Sequence, residues 1–328
     1  MGPTPSEPWP LPLSEDDPPL MANLAASPMA LVELPDPEPR GDDWLVLRNR
    51  LTGICGSDTK QVLMDFDGAA DNMMTAFISF PQVLGHEVVG TVESTGANIT
   101  DLEVGQRVVL YPNTGCRARG ISPVCPACER GDFSICQRWW EGELGPGIHS
   151  GNSVDATGGF AELVPAHRSM VHPVPDEVPD ELAVLADPWS VSFHAITRNP
   201  PEPGSRVVVY GAGALGSTTT SILTQLYDCE VAVVARWRAQ AELARSRGAH
   251  VVEAGPEDGE AALRSLADWS GASLRKPWEG LPVAYPGRVG TVYDTVGSPL
   301  TVEVGMRLLA ERGTLVQLGV GAPGRFEW

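Results

Sequence analysis

Positive charge is what this sequence most conspicuously lacks: 23 Lys and Arg stand against 42 Asp and Glu in 328 residues, a formal net charge of −19. No long Lys/Arg run offsets that field, so phosphate backbones and anionic lipid surfaces are excluded as expected partners. Long apolar stretches are missing as well. Nothing approaches the ~18 residues that span a bilayer, and no membrane partner is expected. The first twenty residues, MGPTPSEPWPLPLSEDDPPL, lack the basic and apolar regions of an export signal. Proline-rich and acidic, residues 1–20 are expected to be a disordered leader, and the protein to be cytoplasmic. Met1, Gly2 and Ser6 fit a myristoylation pattern that Pro3 disfavours. Aromatic residues make up only 6%, yet a hydrophobic share of 42% and a charged share of 20% are those of a globular chain.

Cysteine is scarce, six in all, but four of the six crowd together as Cys116, Cys125, Cys128 and Cys136. In a chain this large without an export signal, such a cluster reads as metal ligands rather than disulfides. Proline (30) and glycine (35) are plentiful and follow no period. From about Pro28 to Pro188 they break up short apolar runs, ALVEL, WLVLRNRL, VVGTVEST, QRVVLYP and GGFAELVPA, the pattern of an irregular all-β domain. After Pro188, apolar runs alternate with Ala/Leu-rich helical stretches: SRVVVYG, ALGSTTTSILTQLY, EVAVVA, AQAELARSRGA. That alternation signals a parallel sheet with crossover helices, and a domain boundary is expected near residue 188.

Within the second half, the strand SRVVVY runs into Gly211, Ala212, Gly213, Ala214, Leu215 and Gly216, then into a helical run. The first glycine permits a tight turn, the second lets backbone approach a pyrophosphate, and the third lets helix pack on strand. A dinucleotide site is expected there. The next strand ends at Ala235, where an enzyme using NAD usually places a carboxylate for the ribose hydroxyls. Arg236 and Arg238 follow instead and can neutralise a 2′-phosphate, so NADP is expected over NAD. The competing reading is that both arginines only solvate the start of the next helix. In the first half, Cys55 in GICGSD and His86 in GHE pair a thiolate with an imidazole, donors that suit zinc.

Taken in order, ELPDPEP, GICGSD, GHEVVGTVESTG, the cysteine cluster, GGFAELVPA, ADPWSVSFHA, GAGALG, YDTVG and GTLVQLGV resemble the zinc-dependent medium-chain alcohol dehydrogenases of the medium-chain dehydrogenase/reductase superfamily. The resemblance covers almost the whole chain from about Pro28. It implies an α/β protein with a GroES-like β-barrel catalytic domain over residues 21–188 and a doubly wound Rossmann domain over residues 189–328. It also implies a catalytic zinc on Cys55, His86 and Asp187. Asp187, in LADPWS, stands where Glu or Cys is commoner, and its shorter arm leaves Glu87 to enter the coordination sphere. Read from the residues alone, Asp187 before Pro188 is a helix start. Ser57 matches the family hydroxyl that passes the substrate proton toward solvent, and Asp58 the carboxylate behind the ligand histidine.

By the same resemblance Cys116, Cys125, Cys128 and Cys136 form a closed structural zinc lobe. The family has two residues between the first pair, whereas RARGISPV intervenes here, a longer loop that closes at a cost rising only logarithmically. Val296 in YDTVG, and Leu318 and Val320 in LGV, are implied to lie along the cofactor. The implied activity is hydride transfer between a small alcohol or carbonyl substrate and NADP(H) or NAD(H), by a homo-oligomer, dimer or tetramer, when full-length. A non-catalytic zinc- and dinucleotide-binding protein is the alternative. The insertion SGASLRKPWEGLPVAYPG is expected as a surface loop. Because family members continue past GTLVQLGV, the Rossmann domain is expected to be incomplete at its C-terminus.

Overall fold

The structure is a computed structural model that describes residues 29–63, 76 and 78–321; the expected leader, residues 1–20, lies outside them. Two compact units are present, Met1–Asp187 and Pro188–Trp328.

In the first unit β1 (Trp44–Gly53) leads into the helix α1 (Gly56–Leu63), and β2 (Glu87–Thr95) and β3 (Arg107–Leu110) come next. After the short helix α2 (Pro126–Glu129) come β4 (Leu163–His167), β5 (Val171–Pro173) and α3 (Asp180–Ala183). The strands form one antiparallel sheet in the order β4-β1-β2-β3-β5. Trp44, Leu45, Val46 and Leu47 are all buried, so β1 enters the sheet covered on both faces. Burying each Leu stabilises the fold by roughly 1.5–3 kcal/mol. Further along, β1 slips register against β2 between Asn49 and Leu51. The Asn49 amide fills that irregularity, donating to Thr52 Oγ1 at 2.8 Å and to the Gly159 carbonyl at 2.5 Å. Such irregularities bend a strand and re-aim the residues downstream, here the segment carrying Cys55. Asp180 ties strands together from outside, accepting from Arg50 of β1 at 2.5 Å and Arg107 of β3 at 2.9 Å.

The run Ala30–Leu34, expected as a strand, is not one: Leu31 is 97% exposed. An apolar run becomes a strand only where a neighbour accepts its hydrogen bonds, and none of the described residues does so here.

The second unit opens with α4 (Ala186–Arg198), whose first two residues still belong to the first unit, then β6 (Ser205–Tyr210), α5 (Ala214–Leu226), β7 (Cys229–Ala235), α6 (Arg238–Ser246) and β8 (His250–Glu253). It continues through α7 (Gly259–Ser270), β9 (Leu274–Arg275), β10 (Val283–Ala284), β11 (Val289–Asp294), α8 (Pro299–Leu308) and β12 (Leu309–Gln317). β6, β7, β8, β11 and β12 make a parallel sheet in the order β12-β11-β6-β7-β8. Alternation along the strands sorts their side chains to two cores. Val208, Tyr210 and Val234 pack with Leu263 and Leu308 of α7 and α8, while Val207, Val209 and Val233 pack with Ile196, Leu223 and Ala241 of α4, α5 and α6. Both faces of the sheet are therefore covered by helices, as its parallel strands require. The strand order reverses at β6, where such sheets open a ligand crevice. The insertion is more than a loop: β9 and β10 pair as a small hairpin, and its Ala284 is buried in the core. Among the described residues no helix is long and apolar enough to cross a membrane.

Candidate metal and dinucleotide sites

Two groups of metal-ligand residues form among the described residues, Cys116/Cys125/Cys128/Cys136 and Cys55/His86/Glu87, each with its donor atoms within 4.8 Å of one another. Both lie in the first unit.

The second group arises from strand register. β1 and β2 pair Gly53 with Glu87, which sets Cys55, just past the end of β1, beside His86, just before the start of β2. A Cβ on Gly53 would overlap the Glu87 carboxylate. The absent side chain thus gives Glu87 its room, and glycine is required by close approach rather than by conformation. Asp58, 2% exposed in α1, knits the pieces together: it accepts from the Cys55 N–H at 2.9 Å and the Gly85 N–H at 3.2 Å, and its Oδ1 lies 3.4 Å from His86 Nδ1. Burial opposes the Asp58 charge, but His86 and the two N–H groups outweigh it and lower its pKa. Burial likewise opposes a charged His86, yet Asp58 and Cys55 raise its pKa to about 10. Burial and then Asp187 raise the pKa of Glu87. A half-buried thiol beside a buried imidazole and carboxylate, the last two driven off their ordinary pKa values, form an assembly that a divalent cation would satisfy. His86 Nδ1 also makes no hydrogen bond within the chain.

Asp187 sits in the first turn of α4, past the helix start rather than capping it, and its carboxylate is not in the 4.8 Å group. It stays close enough for its pKa to respond to His86 and Asp58, after burial, which raises it. Ser57 is half-buried at the start of α1. Behind His86 stands His149, with ring centroids 4.6 Å apart. Its Nδ1 donates to the Ser150 carbonyl at 2.6 Å and its Nε2 accepts from the Asn152 amide at 3.0 Å. No motif surrounds His149 that could have flagged it.

The first group is all thiol and fully buried. The Sγ atoms of Cys116 and Cys136 are 3.6 Å apart, too far for a disulfide and near the ~3.8 Å edge of a tetrahedron with 2.3 Å zinc–sulfur bonds. Backbone N–H groups of Cys116, Cys125, Cys128 and Arg138 point at the sulfurs from 3.4–3.5 Å, a donor array suited to thiolates. Burial opposes the Cys125 thiolate, but N–H groups of Cys128 and Gln137 outweigh it and lower its pKa to about 6. Cys128 and Cys136 are raised, burial first. Crowded sulfurs that cannot all ionise alone can do so around a cation. The long RARGISPV loop does bring Cys116 to the other three. Just beyond the lobe Trp139 and Trp140 pack edge to face, centroids 4.7 Å apart.

In the second unit the turn after β6 holds Gly211 at φ +95°, and a Cβ on Gly216 would strike the Gly211 carbonyl. Gly213 caps α5, a Cβ there would meet nothing within 4 Å, and no side chain caps the helix, so Ala214 and Leu215 open it with unclaimed N–H groups. Val296 lies beside Gly211, in a turn fixed by Asp294, which is fully buried and accepts from the N–H groups of Val296 and Gly297 at 2.9 and 3.0 Å and from Thr301 Oγ1 at 2.8 Å. Leu318 and Val320 come after β12, and the Leu318 N–H donates to the Asp294 carbonyl at 2.7 Å. Asp294 stands within YDTVG, yet nothing in that motif marks it as the anchor of the turn. At the end of β7, Ala235 is buried; Arg238 pairs with Glu242 on its own helix at 2.8 Å, and Arg236 lies over the Trp237 ring at 4.5 Å.

Comparison with known proteins adds to this geometry. The Alcohol dehydrogenase GroES-like domain matches residues 41–176. The chain is 29% identical over 304 residues to (R,R)-butanediol dehydrogenase of Saccharomyces cerevisiae, covering 89% of this chain and 73% of that one. Among solved structures it resembles alcohol dehydrogenase TADH of Thermus sp. ATN1 (TM-score 0.68, 25% identity, 90% and 75% covered). It also resembles a Sinorhizobium meliloti 1021 protein bound to NADP (TM-score 0.66, 27% identity, 89% and 74% covered). None of these relatives favours the non-catalytic alternative.

Proposed function

Because this chain belongs to the zinc-type medium-chain alcohol and polyol dehydrogenases, we propose that it transfers a hydride between a secondary alcohol, of the vicinal diol or polyol class, and a nicotinamide dinucleotide. The observation that carries the proposal is the convergence of Cys55, His86 and Glu87 with Asp58 behind the histidine. Those three would hold a catalytic zinc and leave one position open, with Asp187 as a neighbouring carboxylate that shifts their charge balance. When bound, zinc supplies Lewis-acid polarisation of the substrate oxygen and the nicotinamide carries the hydride.

The chain's own residues do the rest. Asp58 Oδ1, 3.4 Å from His86 Nδ1, would draw the ring proton to that nitrogen and so leave the other ring nitrogen for coordination. Ser57 would relay the alcohol proton, accepting it while giving its own hydroxyl proton onward toward solvent on oxidation, and in the reverse order on reduction. Gly213 and the N–H groups that open α5 would receive the pyrophosphate, and Val296, Leu318 and Val320 would lie along the cofactor. Arg236 is left to meet a 2′-phosphate, since Arg238 is engaged by Glu242; NADP is therefore the favoured form. Cys116, Cys125, Cys128 and Cys136 would hold a second, structural zinc. Free thiols throughout are consistent with a cytoplasmic setting.

The test combines metal analysis with nicotinamide absorbance, using a panel of diols, polyols and secondary alcohols with NAD and NADP in parallel. Two zinc per chain and a diol-dependent rise, larger with NADP, are expected. A metal-stripped sample keeping its full rate, or no transfer with any substrate, overturns the proposal. Sedimentation of the same preparation reads the expected homo-oligomer.

A further inference from the structure

Arg119 belongs to RARGISPV, the stretch that sets the cysteine spacing apart, and its side chain is completely buried. Its guanidinium donates to the backbone carbonyls of Thr114, Glu141, Leu144, Gly145 and Gly147 and to Thr114 Oγ1. Every one of these acceptors is neutral. The hydrogen bonds are satisfied, but the charge is not, and guanidinium does not shed its proton. Among the described residues Arg119 forms no ion pair with a carboxylate. The Arg119 N–H donates to the Cys116 carbonyl at 3.2 Å, and its guanidinium grips the carbonyl of Thr114, whose neighbour Gly115 would place a Cβ 3.2 Å from Cys128 Sγ, so the charge is clamped within the loop that carries the sulfurs. Burial lowers its pKa while Cys136, Cys116 and then Asp155 oppose that, and Asp155 is shared with Arg40 at 3.3 Å and the Gly145 N–H at 2.6 Å.

A buried cation without a counter-ion is strongly unfavourable, and so is a buried four-thiolate centre, on which a divalent cation leaves a net negative charge. We propose that Arg119 is the built-in counter-charge of the metal–thiolate centre at Cys116, Cys125, Cys128 and Cys136. This rests on the structural-zinc reading above. The inserted residues thus supply the centre's charge balance from inside the chain, and the carbonyl clamp holds that charge in place.

Cobalt loaded in place of zinc tests this through its thiolate-to-metal charge-transfer band, in a Cys55→Ser background that removes the other thiolate from the spectrum. Arg119→Met should move the band to lower energy, because sulfur electrons lose a nearby positive charge, and speed chelator-driven metal release about tenfold or more. Arg119→Lys, which keeps the charge but not the fork of donors, should restore the band and bring release to within about threefold of the parent. Asp155→Asn and Thr114→Val should leave the band where it is. Lys and Met variants that shift alike overturn the proposal, as does an unmoved band with only a lowered melting temperature. Should Arg119→Met not fold, Arg119→Gln, which keeps amide donors for the carbonyl clamp but not the charge, replaces it and should shift the band and speed release in the same direction; a parent-like Gln variant overturns the proposal. A parent protein with no cobalt band sinks the metal reading and this one with it, and does so before any substitution is made.

Discussion

The two ligand clusters of the first unit are built on opposite plans. The four-cysteine lobe draws all its donors from Cys116 to Cys136, is fully buried, and is braced by N–H groups from its own turns. The mixed cluster takes donors from the end of one strand and the start of its neighbour, and depends on a register pairing and on Asp58 to align them. A locally wound, all-thiol shell binds a cation at every position and leaves no place for substrate, whereas a shell borrowed from a sheet can be left one donor short. On the proposed reading, that difference would separate a cation that shapes the chain from one that reacts.

Disrupting the closed plan should have the largest effect. Cys128→Ser should remove one metal per chain and cost a large part of the ~10 kcal/mol typical of structural zinc, read by metal analysis and chemical denaturation. Loss of metal with unchanged stability would erase the distinction between the clusters. The open plan should behave the other way. His86→Ala should lower kcat/KM by about a thousandfold while the melting temperature barely moves. Glu87→Gln against Asp187→Asn identifies the third donor: the first should release the metal of the mixed cluster, the second leave it in place. Asp58→Asn should weaken that metal by roughly 10- to 100-fold, with no change at the cysteines.

The same contrast explains how much was legible in the sequence. The cysteine lobe was readable because its donors are near neighbours, and the spacing anomaly before Cys125 was visible even though its occupant, Arg119, was not. The glycine turn after β6 was readable for the same reason: strand, turn and helix are contiguous. What sequence could not decide was which carboxylate reaches Cys55 and His86. That depends on the Gly53–Glu87 pairing, a relation between residues 34 positions apart, and on a missing Cβ rather than on any residue that is present. Ala30–Leu34 failed as a strand for a related reason, since an apolar pattern says nothing about whether a neighbour exists. His149 and Asp294 escaped because their roles are contacts, not motifs.

The smallest expected effect is one that both clusters share. Asp180 bridges Arg50, upstream of Cys55, and Arg107, upstream of Cys116. Its hydrogen bond from Arg50 is the main cause of a pKa below the usual carboxylate value. A carboxylate depressed in the folded state adds stability above its ordinary pKa, near 4, and loses it as the pH falls through the depressed value. The native protein should therefore lose stability more steeply than Asp180→Asn below about pH 4, and at neutral pH the substitution should cost about 1 kcal/mol or less. Unequal damage to the two clusters would show that they are not carried on a common scaffold.

The edge-to-face pair Trp139 and Trp140 stands immediately beyond Cys136, whose sulfur receives the Arg138 N–H. Two indoles held at that angle couple their transition dipoles, so the chain carries its own optical gauge of the lobe. A far-ultraviolet circular dichroism couplet from the strong indole band should grow as the loop winds shut and collapse when it opens, reporting the state of the lobe without any added dye.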